Sequence, residues 1–164
     1  MNSSSETISS GTKANKTGNA LESFVEAILI RNGYTEFINN KKQVFAMRQS
    51  VGGKQFSKQQ LCGESIYGSA RRCDFFVINQ ERFPKNLIIE CKWQESAGSV
   101  DEKYPFVMLN ITKIAILTIV LIDGKGYKKQ AFKWLKDQVS TERALIDVCT
   151  MQEFQKLVNQ GFLG

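Results

Sequence analysis

Four side chains able to do chemistry together lie in the stretch "RRCDFFVINQERFPKNLIIECKWQ", residues 71–94. Asp74 stands on one apolar run, and Glu90, Lys92 and Gln94 occupy alternate positions at the end of the next. Alternate side chains of a strand share a face. Glu90, Lys92 and Gln94 are therefore expected to point one way, and Ile89, Cys91 and Trp93 the other. On the preceding run Arg72, Asp74 and Phe76 are expected on one face, with Cys73, Phe75 and Val77 opposite. If the two strands are neighbours, Asp74 approaches Glu90, while Cys73 and Cys91 share the apolar side. Two carboxylates held close repel each other unless a positive charge lies between them. Oxygen donors from Asp74 and Glu90 suit Mg²⁺, which keeps waters and adds substrate phosphate to complete its octahedron. Lys92, one step along the same face, can orient or deprotonate a water, or stabilise charge developing on phosphorus. The chemistry this set fits is phosphodiester cleavage.

What the chain lacks narrows the choice further. None of its 164 residues is histidine, which removes Ser-His and Cys-His nucleophile pairs and imidazole metal sites. A hydrolase built from this sequence must work with carboxylates, lysine and a hard metal ion. The four cysteines (Cys62, Cys73, Cys91 and Cys149) form no CxxC pair, so reduced core thiols are expected rather than zinc. Net charge +6 favours a polyanionic partner.

The elements that must position these residues follow from periodicity. In "GNALESFVEAILIRNG", Leu21, Phe24, Val25, Ile28 and Leu29 form one stripe of a helix closed by Gly33. Strands are expected over residues 43–48, 55–62, 73–79 and 86–94. The last two are joined by "QERFPK", and "GESIYGSARR" is a loop before them. After a polar segment, residues 113–123 read as a long apolar strand. Residues 128–138 read as a basic helix, 144–149 as a strand and 151–159 as a closing helix. This order predicts an α/β mixed sheet, antiparallel at first and parallel after a crossover, flanked by helices. Residues 1–15 read as a disordered polar leader and 16–164 as a single domain. The longest apolar run, residues 114–122, falls short of the roughly 20 that span a bilayer. With no apolar stretch at the N-terminus either, no membrane association and a cytoplasmic location are expected.

Asp74, a turn and then "IIECKWQ" resemble the PD-(D/E)XK nuclease superfamily, whose motif is an acid, a variable spacer and a (D/E)-x-K triplet on the next strand. Residue 73 is Cys where that motif often has proline. The resemblance implies a restriction-endonuclease-like core with the chemistry at the splayed edge of its central hairpin. It also implies a Mg²⁺-dependent DNA endonuclease, with Mn²⁺ as a substitute, in which Asp74 and Glu90 hold the metal and Lys92 assists the attacking water. The superfamily often adds a glutamate from the first helix. Glu22 fits that role better than Glu26, one turn on. Gln94 resembles a glutamine that some members place after the triplet, where it can hydrogen-bond substrate or hold a ligand. One site per chain implies a homodimer or larger assembly for cutting both strands. The rival expectations are a non-catalytic nucleic-acid-binding module with a degenerate site, and an RNase or repair-complex subunit.

Three segments are candidates for holding the DNA backbone. "WQESAGSVDEKYP" reads as a loop of small residues in which Lys103 can meet phosphate. "IDGKGYKKQAFKW" places Lys125, Lys128 and Lys129 at the start of a helix, where free N–H groups attract anions. Trp134 and Leu135 further along are expected in the core. "SIYGSARR" supplies Arg71 and Arg72 just ahead of Asp74, and Arg72, on the aspartate's face, is expected to meet the carboxylates or a phosphate.

Overall fold

The structure, a computed structural model, describes residues 10–37, 53–95 and 101–164, with side chains from residue 20 onward. Six strands form one sheet in chain order: β1 (Thr35–Glu36), β2 (Gln55–Glu64), β3 (Ala70–Ile78), β4 (Leu87–Trp93), β5 (Leu117–Asp123) and β6 (Leu145–Cys149). The β2–β3 and β3–β4 pairs are antiparallel, and β1–β2, β4–β5 and β5–β6 are parallel. Four helices flank this mixed sheet: α1 (Ser10–Arg31), α2 (Tyr104–Ile114), α3 (Lys129–Lys136) and α4 (Met151–Asn159). The expected α/β mixed sheet is the one observed. The strand expected over residues 43–48 lies outside the described residues.

Each face of the sheet carries its own core. Leu21, Val25, Ile28 and Leu29 of α1 and Phe154 and Val158 of α4 pack with Phe75, Val77, Ile89 and Leu121. On the other face Val107, Met108 and Ile111 of α2 and Leu135 of α3 meet Val120, Ile122 and Val148. A smaller cluster on that second side joins Cys62, Cys73, Phe76, Ile78 and Ile88. The central strands β4 and β5 are thus covered on both faces, which is why they read as continuous apolar runs.

Two expectations about elements need correction. The run 113–123 is not one strand: its start closes α2, whose last turn ends on Ala115 in the left-handed region (φ 57°), its N–H donating to the Ile111 carbonyl. That helix is the crossover that parallel β4 and β5 require. Its helical spacing (Val107, Met108, Ile111) merges into the apolar residues of β5, so the boundary is hidden in hydropathy. The first helix also opens at Ser10, eight residues before Gly18 and within the span expected to be a leader. Low hydrophobicity cannot separate a polar helical extension from coil.

Candidate active site

The β3–β4 ladder runs through Val77↔Leu87 and Phe76↔Ile88 and stops at Phe75↔Ile89. Beyond that point β4 stays paired with β5 as far as Trp93↔Asp123, while β3 continues with β2. The two strands of the central hairpin therefore part, and Asp74 fills the opening. Its Oδ2 accepts the Cys91 main-chain N–H at 2.7 Å, so a carboxylate takes the place a strand carbonyl would occupy. Its Oδ1 accepts from the Gln59 carboxamide at 3.2 Å.

The side chains named from the sequence converge here. The Lys92 ammonium donates to Glu90 Oε2 at 2.7 Å, to Asp74 Oδ2 at 3.3 Å and to the Cys91 carbonyl at 3.2 Å. Glu90 is only 3% exposed, and its second oxygen accepts from Arg71 at 3.0 Å. A buried carboxylate is tolerable only when paired in this way. Burial by itself pulls the Lys92 pKa down, but Glu90 and Asp74 outweigh it and hold the amine well above the ordinary lysine range. In this arrangement the Lys92 amine donates to all three oxygens around it.

Glu22 projects from α1 toward the same place. Its pKa is raised, first by burial and then by the negative charge of Asp74, while Lys92 and Lys58 oppose the shift. Glu26 is engaged elsewhere, in an ion pair with Lys58 at 2.7 Å. Of the two glutamates, Glu22 is the one that feels the charges of Asp74 and Lys92.

Gln94 lies on the face of Glu90 and Lys92, but it is 2% exposed. Its carboxamide donates to the Gly126 carbonyl at 3.1 Å and accepts from the Tyr104 hydroxyl at 3.4 Å. Its main chain is clamped as well: Gln94 N–H donates to the Asp123 carbonyl, and Gly126 N–H to the Gln94 carbonyl. Gly124 passes so close that a Cβ there would sit 2.1 Å from the Gln94 oxygen. The geometry makes Gln94 a strut holding the turn after β5.

The donor set suits a hard cation. Asp74, Glu90 and the Cys91 carbonyl present three oxygens within 3.3 Å of one positively charged nitrogen, the ligand type that Mg²⁺ prefers. Among the described residues no group of three His, Cys, Asp or Glu side chains stands ready as a metal cluster; two carboxylates and one main-chain oxygen carry the site. The carbonyl was beyond sequence reasoning, because every residue has one and only the splay singles this one out.

A model of the PD-(D/E)XK nuclease superfamily domain matches residues 13–162. The chain belongs to that superfamily. No curated protein and no solved structure matched the chain. PD-(D/E)XK proteins are usually nucleases that use divalent metals, and the domain implies a nucleic-acid substrate. Among the described residues no helix is long and apolar enough to cross a membrane.

The remaining expectations fare unevenly. Strand alternation breaks at the Gln59–Asp74 pair, where Gln59 adopts φ 51°. Phe75 therefore faces α1 while Cys73 joins Phe76 and Ile88 on the opposite side. Cys91 packs on the α1 side, so the two cysteines do not share a face. For the same reason Arg71, not Arg72, meets Glu90, and exposed Arg72 donates to the Gln59 carbonyl at 2.8 Å. Lys103 and Lys125 are exposed, in a short 3₁₀ turn and in the loop after β5. Lys128 precedes α3, its N–H donating to Asp101 Oδ1 at 3.3 Å, so an internal carboxylate already serves that helix start. Lys129 opens α3 and is exposed. Tyr104, expected in a loop, is buried in the first turn of α2, where burial and then Asp101 push its pKa up to about 12. Leu135 is core as expected, whereas Trp134 is 41% exposed.

Proposed function

We propose that this PD-(D/E)XK protein is a metal-dependent DNA endonuclease whose site is Asp74, Glu90 and Lys92. The observation that carries the reading is the meeting of both carboxylates and the Cys91 carbonyl around the Lys92 ammonium where β3 and β4 part. Asp74, Glu90 and the Cys91 carbonyl would hold Mg²⁺, or Mn²⁺ in its place. Bound there, the ion supplies Lewis-acid stabilisation of charge on the phosphoryl oxygens.

The chain's own groups do the rest. Lys92 enters as an ammonium, a triple donor seated where β3 and β4 part. It orients the attacking water and donates to a phosphoryl oxygen as charge builds there. Water attacks phosphorus in line with the P–O3′ bond, which breaks to leave a 5′-phosphate and a 3′-hydroxyl. Arg71 fixes Glu90 in its buried position. Glu22, with its raised pKa, is placed to take up a proton at the edge of the site. Gln94 positions the turn after β5 and acts through it. Net charge +6 draws the polyanion in, with Arg72, Lys103, Lys125, Lys128 and Lys129 as exposed or edge contacts to the backbone. Cleavage of both strands of a duplex requires two copies of the chain.

The test is parallel cleavage of duplex, branched and single-stranded DNA, and of RNA, in Mg²⁺ and in EDTA. The reading expects Mg²⁺-dependent cleavage of DNA that drops about 100-fold or more in Lys92→Ala and Asp74→Ala. Equal activity in wild type and both variants overturns it. Salt-sensitive binding without turnover in any metal would favour a binding module instead.

A further inference from the structure

The hairpin between β2 and β3 holds a feature the hydrolytic chemistry does not use. Its tip, residues 65–69, carries Tyr67, which is 79% exposed. A single exposed aromatic is ordinary, but this one is mounted. Its ring stacks on Phe106 of α2, with centroids 5.4 Å apart and planes 22° from parallel. The backbone beneath it is pinned to the same helix. Ile66 N–H donates to Asn110 Oδ1 at 2.9 Å, and the Lys113 ammonium donates to the Ser65 carbonyl at 2.6 Å. Tyr67 N–H donates to the Ser65 hydroxyl at 3.2 Å, and that hydroxyl lies 2.7 Å from the hydroxyl of Ser69. Asn110 itself is fully buried. One face of the Tyr67 ring is therefore backed by an aromatic on a rigid support, and the other faces solvent.

The platform stands beside the site. Arg71, four residues after Tyr67, holds Glu90 at 3.0 Å, and four residues span at most about 14 Å. Helix α2 reaches both places: Tyr104 contacts Gln94 just past Lys92, and Asn110 secures the hairpin, with Phe106 between them. That backbone span corresponds to roughly four base steps of a nucleic-acid strand, and the Arg71 side chain reaches on from its end to Glu90.

We propose that Tyr67, backed by Phe106, is a stacking platform for an unpaired nucleobase a few nucleotides from the scissile phosphate. The substrate it selects is nucleic acid with a single-stranded or frayed segment next to the cut. A base inside a continuous duplex is already stacked on both faces and is unavailable to a side chain, whereas an unpaired base offers a free face. Every base has such a face, so the platform selects strand state and not sequence. The inference rests on the nuclease reading for its meaning, but it has its own readout.

The experiment measures binding of single-stranded DNA, of the same strand with several abasic residues, and of a continuous duplex. It is done in EDTA, where Lys92 and Arg71 already offset the two carboxylates. Wild type is expected to bind the intact strand about tenfold more tightly than the abasic one. Tyr67→Ala should lose that difference and Tyr67→Phe should keep it, because the ring and not the hydroxyl is the contact. The difference, rather than overall affinity, separates stacking from a mere structural change in the loop. Persistence of the full difference in Tyr67→Ala overturns the platform. Cleavage by wild type and Lys92→Ala in Mg²⁺ is run on the same preparations. Loss of cleavage in Lys92→Ala with an unchanged binding pattern in Tyr67→Ala sinks the platform and leaves the nuclease standing. The predicted binding pattern with no Lys92-dependent cleavage does the reverse. Absence of binding to any strand overturns the platform, and absence of Lys92-dependent cleavage as well overturns both.

Discussion

At the scale of single residues, the site is a problem in charge balance. Asp74 and Glu90 bring two acids to one place, against Lys92 and Arg71 within bonding distance. Neither cation pairs with Glu22 at bonding distance among the described residues, and burial followed by the Asp74 charge raises its pKa. A raised carboxylate pKa favours folding in the protonated form. That contribution is complete below the unfolded-state value, about 4.3, and is lost as pH rises through the folded-state value. Glu22→Gln, which cannot ionise, should therefore melt about 1–3 °C above wild type near pH 7.5, and the gain should vanish near pH 4. Thermal melts across that range check it; a variant less stable than wild type at neutral pH contradicts the electrostatic account. The residue types at 90 and 92 stood out in the sequence because they end an apolar strand, where charge has a cost, and Asp74 because it stands on the run before it. What could not be seen was which arginine would reach Glu90, since a local break in alternation at Gln59 and Asp74 decides it.

At the scale of elements, the site depends on β4 ending firmly while β3 leaves it. The turn after β5 provides that firmness by gripping Gln94 through Asp123, Gly124 and Gly126. Gly124 has φ 113°, and an added Cβ would meet the Gln94 carbonyl oxygen and carbon at 2.1 and 2.7 Å. Gly124→Ala should cost more than about 2 kcal/mol in urea unfolding and should reduce cleavage in the surviving folded fraction. A variant as stable as wild type would show that the clamp is slack. Legibility differed among elements for physical reasons. The closing helix α4 spans residues 151–159 as expected, and a capping box of Thr150 and Glu153 fixes its start. Strand β4 was plain because both its faces are buried. Helix α2 was not, because its apolar residues run on into β5, which follows Ala115 after a single residue.

At the scale of the whole molecule, the proposed centre is one per chain, on the six-stranded sheet of the described residues. A single copy can then cut one strand per encounter. On supercoiled plasmid, nicking should scale linearly with protein concentration, while linear product should rise more steeply as two copies meet on one duplex. Gel quantification over a dilution series checks this, and linear product scaling in parallel with nicks would contradict the need for a second copy. The mixed topology was legible from the order of elements, because short polar turns join antiparallel strands and longer segments must cross over. The mounting of Tyr67 on Phe106 was not, since the two residues lie 39 positions apart and meet only when α2 folds over the hairpin.

The oxygens around Lys92 are the proposed cation site. Binding of Mn²⁺ to the protein alone, followed by the loss of the free-ion paramagnetic resonance signal, tests this directly. One ion per chain is predicted for wild type, with uptake abolished in Asp74→Asn and in Glu90→Gln. Undiminished uptake in both variants would show that these carboxylates hold no metal, and the proposed hydrolytic centre would be contradicted.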